Sequence, residues 1–154
     1  KKKKIINNAM SHPVLTKMMQ NKEATEIKLE WQHKDVNFKG FADLLTTFNG
    51  KKCIVDIKTT NDAGKRFERD LYYNDYKMQL AMYQDQYDKD TDAYIVAIET
   101  TTPFNVQIYK LDDSLLFKGW MDYDYYTDKY KEWNGEPQGY SDSIVEVKTE
   151  TEEI

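Results

Sequence analysis

The sequence predicts an α/β fold in one domain, with a central mixed β-sheet flanked by helices in the order αβββαββα. Three patterns predict it. Residues 25–32 alternate strictly between polar and apolar side chains, which is the period of a half-buried strand. Asn49-Gly50, a strong hairpin signal, joins two segments rich in β-branched and aromatic residues. Residues 63–89 have the apolar spacing of a long helix.

The first half of the chain is expected to form helical structure followed by a three-stranded meander. Residues 5–19 have helical spacing that is interrupted at Ser11-His12-Pro13, so we expect one or two helices there. The first strand, within residues 25–32, has its apolar side chains on one face and Glu26 and Glu30 on the exposed face. The other two strands of the meander are expected at residues 36–48 and 52–59.

The second half is expected to add a helix, two strands and a last helix. The helix within residues 63–89 should begin near Arg66 and run for about six turns. Asp112-Asp113-Ser114 can cap a final helix that reaches about Trp133, because a short polar side chain there accepts hydrogen bonds from the first turn. The two strands between these helices are expected at residues 91–101 and 104–111.

The charge is distributed unevenly, and this divides the chain. Residues 135–154 hold six acidic residues and one lysine, whereas acidic and basic residues are equal in number in residues 1–134. The net charge of -5 therefore belongs to the last part, and it does not exclude a locally basic groove that binds an acidic polymer. We expect residues 1–134 to form the domain and residues 135–154 to form a flexible acidic tail, with a short strand at residues 144–147 as the less favoured alternative.

Composition excludes several classes of protein. The chain has 154 residues, of which 40% are hydrophobic and 14% aromatic, so it should fold as one domain rather than remain disordered. It has no apolar run long enough for a membrane-spanning helix and no secretory signal, so we expect no membrane partner and a cytoplasmic location. The single cysteine, Cys53, excludes an intramolecular disulfide, a Cys-rich zinc site and an iron–sulfur cluster.

The residues most indicative of chemistry lie on the second and third strands. Asp56 and Lys58 are two residues apart on a strand and therefore project from the same face, whereas Ile57 is expected to point into the core with its apolar neighbours. Asp43 lies on the preceding strand of the hairpin, where cross-strand neighbours are only about 5 Å apart. The two carboxylates could thus converge on one cation, and Glu26 or Glu30 could add a third.

A carboxylate set without cysteine or histidine ligands favours Mg²⁺ or Mn²⁺ over zinc, because these hard cations prefer oxygen ligands. Such an ion binds phosphate, and it lowers the pKa of a bound water. Lys58 could then orient the attacking water or deprotonate it. The alternative is that Asp43, Asp56 and Lys58 form ordinary surface ion pairs.

The helix that follows has polar-tipped side chains along one stripe. Its members, spaced four, three and four residues apart, are Tyr72, Tyr76, Gln79 and Tyr83. These side chains could contact a phosphate or stack on a base, or they could form an ordinary packing face. Just before the stripe lie three cations that could contact a DNA backbone: Lys65, Arg66 and Arg69.

Together these residues resemble the PD-(D/E)XK nucleases. The match is closest to the RecB-like branch, especially phage and prophage exonucleases of the RecE (exodeoxyribonuclease VIII) type, and it covers residues 10–133. The motifs that carry it are Glu26, Lys39-Gly40-Phe41-Ala42-Asp43, Val55-Asp56-Ile57-Lys58-Thr59-Thr60, and Tyr76 with Gln79-Leu80-Ala81-Met82-Tyr83.

The resemblance implies a restriction-endonuclease-like core and a role for each matching residue. Asp43, Asp56 and the main-chain carbonyl of Ile57 would be metal ligands, and Lys58 would be the catalytic lysine. Gln79 and Tyr83 would form the helix motif of the branch. Glu26 would be the acid of the first strand, with Glu30 on the same face as the alternative.

The sequence departs from the family pattern at two places. Ala42 stands where the family name has proline, a common variation. The upstream helical histidine of many RecB-like nucleases has no match, because His12 lies in a Ser-His-Pro turn and His33 in a polar turn. We therefore expect either that an upstream helix is missing from this chain or that this member lacks it.

The function expected from these residues is that of a metal-dependent exonuclease acting on linear double-stranded DNA with free ends. The resemblance alone implies 5′ to 3′ polarity, a homo-oligomer, a single-strand annealing protein as partner, and phage-type recombination or repair in a bacterial or phage-infected cell. The nearest competing function is that of an endonuclease on the same fold. A non-catalytic DNA-binding or scaffold module and a tyrosine-rich interaction domain are the competing functions outside the nuclease class.

Overall fold

The structure, a computed structural model, describes residues 1–133 and 144–149. Residues 144–149 form neither helix nor strand, so the alternative strand at residues 144–147 is absent. The remainder of the expected acidic tail lies outside the described residues. The elements in chain order are α1 (Lys2–Ser11), α2 (Pro13–Gln20), β1 (Ala24–His33), β2 (Val36–Phe48), β3 (Lys51–Thr60), α3 (Lys65–Tyr73), α4 (Tyr76–Gln84), β4 (Asp92–Glu99), β5 (Val106–Leu111) and α5 (Asp113–Glu132).

The five strands form one mixed sheet in the order β1-β2-β3-β4-β5. Three of the four neighbouring pairs are antiparallel, and β3 and β4 are parallel. Parallel neighbours require a crossover connection, which α3 and α4 provide here. The mixed sheet flanked by helices that the sequence predicts is thereby confirmed, as is the hairpin at Asn49-Gly50, where both residues have positive φ angles.

Alternating side chains of the central strands divide the core into two layers. On one face of the sheet, a cluster from β3, β4 and helices α3 to α5 includes Ile54, Ile95, Phe67, Leu71, Leu80 and Leu116. On the other face, a cluster that joins the sheet to α1 and α2 includes Cys53, Val55, Val96, Ala9, Leu15 and Met18. The sheet is therefore covered on both faces, which explains why β3 and β4 read as nearly continuous apolar runs.

The break in the N-terminal helical segment is explained by two residues. Pro13 occupies the first turn of α2, where its missing N–H costs no hydrogen bond. The His12 side chain caps the same helix, because its Nδ1 accepts a hydrogen bond from the Val14 N–H at 3.3 Å. Two helices form, and His12 has a structural role in the turn between them.

The prediction of one long helix within residues 63–89 is wrong. The segment forms two helices, because Asn74 adopts an extended conformation with φ -96° and ψ 176° between α3 and α4. Asn74 and Asp75 have poor intrinsic helix propensity, since their side chains compete for nearby backbone groups. The break separates Tyr72 on α3 from Tyr76, Gln79 and Tyr83 on α4, so the four-residue stripe does not exist as one surface.

Gly119 allows α5 to lie directly against α4. A Cβ atom at position 119 would lie 2.3 Å from the Lys77 carbonyl oxygen, which belongs to the backbone and cannot turn away. Replacement of glycine by alanine in an ordinary helix interior stabilises a protein by up to about 1 kcal/mol. At Gly119 we expect Gly119→Ala to lower the free energy of unfolding by about 1–3 kcal/mol, measured by urea denaturation. Equal or greater stability of the variant would contradict this packing.

Within residues 1–133 and 144–149, no helix is long and apolar enough to cross a membrane.

Candidate active site

The site lies where β2 and β3 separate. Their last paired residues are Leu44 and Val55, and Asp43 and Asp56 are the next residues beyond this pair on the two strands. A hydrogen bond bridges the gap, because the Ile57 N–H donates to Asp43 Oδ2 at 2.6 Å. The carboxylate of Asp43 is thereby held against β3, next to the carboxylate of Asp56.

The same separation of β2 and β3 explains why the prediction for Ile57 is wrong. The sequence predicts that Ile57 points into the core, but its side chain is 37% exposed. Beyond Val55 the third strand continues to pair with β4, whereas its pairing with β2 has ended. Ile57 therefore has no paired residue of β2 beside it to cover its side chain. The alternation within the strand sequence does not indicate where this pairing ends.

Asp56 combines a buried carboxylate with an incomplete set of partners. The residue is 3% exposed, and Lys58 Nζ lies 3.0 Å from its Oδ2. Apart from this ion pair, Oδ2 accepts no hydrogen bond, and it is the one buried side-chain polar atom of the described residues in this condition. A buried charged oxygen with a single ionic partner has acceptor capacity left over, and such atoms commonly mark a place that a ligand completes.

The pKa of Asp56 reflects this setting. Burial raises the pKa of the carboxyl from its ordinary value of 3.8 to about 6. Lys58 opposes this shift, and the neighbouring Asp43 carboxylate adds to it, since two adjacent negative charges repel each other. A cation between the two carboxylates would remove this repulsion, so the residues present fit a divalent metal ion.

The two aspartates do not have a third acidic partner in place. Among the described residues, no group of three or more His, Cys, Asp or Glu side chains is arranged to hold a metal ion. Glu26 lies across from Asp43 in the register, between the pairs Thr25–Leu44 and Ile27–Ala42, and has a φ angle of 50°. A left-handed conformation is uncommon for glutamate, and such strain often accompanies a functional site.

Glu30, the alternative to Glu26, lies farther along β1. Its Oε1 is 2.9 Å from Lys28 Nζ, and both side chains are exposed. Lys28 is the main cause that lowers the pKa of Glu30, with a smaller contribution from Lys39 on the neighbouring strand. Glu30 therefore already has cationic partners on the surface of the β1–β2 hairpin.

Helix α4 brings one side chain, Tyr76, beside Lys58, and two others hydrogen-bond to each other within the helix. The Tyr76 ring lies beside Lys58, whose Nζ is 5.2 Å from the ring centroid. Gln79 Nε2 donates a hydrogen bond to the Tyr83 hydroxyl at 3.2 Å. Tyr83 itself is only 6% exposed, so its ring is not available to stack on a base. Its position fixes the orientation of Gln79 instead.

The close approach of Tyr83 explains why the motif before Asp43 has glycine at position 40. A Cβ atom at position 40 would lie 2.7 Å from both the hydroxyl oxygen and Cε1 of Tyr83. The edge of Trp31 also contacts the Tyr83 ring, with centroids 6.4 Å apart. Glycine on β2 thus lets the buried tyrosine of α4 approach the sheet close to the site.

The three predicted backbone-binding cations lie at the start of α3. Lys65, Arg66 and Arg69 are exposed, and none of them forms an ion pair within residues 1–133 and 144–149. Phe67 on the same helix stacks on Tyr76 with ring centroids 5.7 Å apart. This stack places the beginning of α3 next to the site.

One residue that supports the site was missed. Glu99, at the end of β4, is buried, and its two carboxylate oxygens accept hydrogen bonds from the Ala63 and Asn105 N–H groups, both at 3.0 Å. It thus ties the loop that follows β3 to the loop that follows β4. The signal available was an acidic residue at the end of an otherwise apolar strand.

The family model described as "PDDEXK-like domain of unknown function (DUF3799)" matches residues 1–139. No curated protein matches the chain.

Solved structures also match the chain. One is a protein from Eubacterium rectale described as a "putative exonuclease", with a TM-score of 0.67 and 17% sequence identity. The match covers 84% of this chain and 51% of that chain, so this chain spans about half the length of the protein it resembles. Another structure, SSO0001, has a TM-score of 0.38 and 23% identity over 65% of this chain and 48% of that chain. The first match shows that the two proteins share a fold.

Proposed function

Because this chain belongs to the PDDEXK-like family DUF3799, we propose that it is a metal-dependent deoxyribonuclease. The observation that carries the proposal is the arrangement of Asp43, Asp56 and Lys58 at the point where β2 and β3 separate. The buried Asp56 oxygen, which has Lys58 as its one ionic partner, suits a further cation, and nucleases of PD-(D/E)XK type generally use divalent metal ions. The fold shared with the exonuclease-like protein from Eubacterium rectale supports the same chemistry.

The ligands in this proposal are the carboxylates of Asp43 and Asp56 and the main-chain carbonyl of Ile57. All three are oxygen donors, which favours Mg²⁺ or Mn²⁺, as one ion or two. When bound, the ion polarises the phosphoryl oxygen, lowers the pKa of a water molecule and stabilises the leaving oxygen. Deprotonated Asp56 is the form that binds, so the proton and the metal compete for this carboxylate.

Lys58 acts beside the metal ligands. Its ammonium group lies between Asp56 and the Tyr76 ring, and these two contacts fix its position. From there it can donate a hydrogen bond that orients the attacking water towards phosphorus. The water gives its proton to solvent as it bonds to phosphorus, the bond from phosphorus to the leaving oxygen breaks, and the leaving oxygen takes up a proton from solvent.

Glu26 and Gln79 complete the site in this proposal. We assign the first-strand acid to Glu26 rather than Glu30, because Glu26 lies across from Asp43 and Glu30 pairs with Lys28. Gln79, whose amide donates a hydrogen bond to the Tyr83 hydroxyl, is proposed to contact the phosphate of the substrate strand. Tyr76 and the cations Lys65, Arg66 and Arg69 are proposed to contact the DNA beside the cleaved bond.

The substrate we propose is linear double-stranded DNA with free ends, degraded from 5′ to 3′. The similarity of the motifs to exonucleases of the RecE type supports this choice, and with it a role in phage-type recombination or repair. A homo-oligomer and a single-strand annealing partner belong to the same proposal.

Digestion of end-labelled linear duplex beside a closed circle, in Mg²⁺ or Mn²⁺, tests this function. We expect progressive loss of the linear substrate only, and early release of the label at the 5′ end. Cutting of the circle would identify an endonuclease instead. Asp90→Asn is the matched control for substitutions at Asp43 or Asp56, because Asp90 is an exposed aspartate in the loop before β4.

A further inference from the structure

A second concave surface adjoins the site described above and shares Lys65 and Arg69 with its proposed DNA contacts. Helix α3, the end of β5 and the start of α5 enclose a cleft of about 670 Å³. Its size lies within the usual range for ligand-binding clefts, about 300–1,000 Å³. Its lining includes four cations and two tyrosines, which are Lys65, Arg69, Lys110, Lys118, Tyr72 and Tyr73.

The cleft carries positive charge on an acidic protein. Four cations line it against two acidic residues, Glu68 and Asp112, whereas the whole chain has a net charge of -5. One oxygen of Asp112 is engaged, since Oδ1 accepts a hydrogen bond from the Leu115 N–H at 2.8 Å. Lys65 and Arg69 have no ion-pair partner within the described part of the chain. Lys110 is partly offset, since its Nζ lies 3.6 Å from Asp92 Oδ2. Lys65, Arg69 and Lys118 still leave the cleft complementary in charge to an anion.

Two exposed tyrosines stand beside these cations. Tyr73 is 72% exposed and Tyr72 is 49% exposed, and their rings meet edge to face with centroids 5.1 Å apart. Lys118 Nζ lies 4.8 Å from the Tyr72 ring centroid and donates a hydrogen bond to its hydroxyl at 2.9 Å. Exposed aromatic rings next to cations form the surface on which unpaired bases stack.

We propose that this cleft binds a single strand of nucleic acid, with its phosphates on the cations and its bases stacked on Tyr72 and Tyr73. A single strand fits better than a duplex, because bases within a duplex already stack on one another and do not offer free faces. The choice of nucleic acid over other polyanions rests on the proposed function.

The cleft is connected to the candidate active site through stacked rings. Tyr109, which lines the cleft, stacks on Phe67 with centroids 5.7 Å apart. Phe67 in turn stacks on Tyr76, which faces Lys58. A nucleic-acid strand held in the cleft therefore lies next to α3, which packs against Tyr76 at the candidate active site. Binding of this strand requires neither metal nor Asp56.

The test is the binding of fluorescein-labelled oligothymidylate, followed by fluorescence anisotropy in EDTA so that no cleavage occurs. The double variant Lys118→Ala/Tyr73→Ala removes one charge and one ring from the cleft. The control Lys131→Ala/Tyr130→Ala removes the same residue types from the exposed end of α5. We expect the cleft variant to raise the Kd by about tenfold or more, since loss of one stacked base and one phosphate contact has about this effect. The control should stay within about twofold of wild type.

Three outcomes would overturn the proposal. The cleft variant and the control could bind the strand equally well. Tyr73→Ala alone could leave the Kd unchanged while inorganic polyphosphate displaces the strand, which would make the cleft a simple anion site. Wild type could also bind duplex more tightly than the single strand. Thermal melting of each variant shows whether unfolding causes a loss of binding. The cleavage assay tests the nuclease proposal separately. Cleavage that persists without strand binding in the cleft would contradict the cleft proposal and leave the nuclease proposal standing.

Discussion

Asp56→Asn is expected to reduce metal-dependent DNA cleavage by a factor on the order of 10³ while it stabilises the metal-free protein. Asparagine keeps the shape of the side chain but removes the charge that binds the metal. The same charge is costly without metal, because Asp56 is 3% exposed and lies beside Asp43. Cleavage of linear duplex and urea denaturation in EDTA measure the two effects, with Asp90→Asn as the control for both.

The stability effect has a defined pH dependence. The pKa of Asp56 is about 6 in the folded protein and 3.8 in an exposed carboxyl, so the folded state binds the proton more tightly. This contribution to stability is complete at low pH and is lost as the pH rises from about 4 to about 6. The variant has no such proton, so its advantage over wild type should grow over this range by about 2–3 kcal/mol. A difference that stays constant, or shrinks, would contradict the burial of a charged Asp56.

Lys58→Met is expected to reduce cleavage by about 10²–10⁴ and to leave divalent metal bound. Methionine retains an unbranched apolar chain against the Tyr76 ring, but it cannot donate a hydrogen bond to water. Single-turnover cleavage and calorimetric metal titration separate the two properties. Both assays should be run at a pH well above the pKa of Asp56, because loss of the lysine charge raises that pKa further.

A matched control exists for this substitution on the same strand. Lys52→Met changes an exposed lysine near the beginning of β3, away from the two carboxylates, and should cleave DNA at the wild-type rate. If Lys58→Met also cleaved at that rate, Lys58 would be a surface cation rather than a catalytic one.

Local patterns were sufficient to predict most of the strands. The alternation in residues 25–32 depends only on neighbouring side chains, and β1 indeed covers Ala24–His33. The turn at Asn49-Gly50 has positive φ angles that these two residue types tolerate well. In contrast, the break before α4 depends on competition between helical period and the side chains of Asn74 and Asp75. Apolar spacing alone does not measure that competition.

The site was predictable only in part for a similar reason. The two-residue spacing of Asp56 and Lys58 is enough to place both side chains on one face of β3. The approach of Asp43 depends on where two strands stop pairing, and no short sequence pattern encodes that position. The cleft is harder still to predict, because Tyr72 and Lys118 come from helices 46 residues apart in the chain.

Calorimetric titration of the protein with Mn²⁺, above the pKa of Asp56, tests the central claim most directly. The claim is that Asp43 and Asp56 hold a divalent ion. We expect wild type to bind one or two ions, and Asp43→Asn and Asp56→Asn each to weaken binding by at least about tenfold, while Asp90→Asn binds as wild type does. Absence of binding by wild type with duplex DNA present, or equal binding by all four proteins, would contradict it.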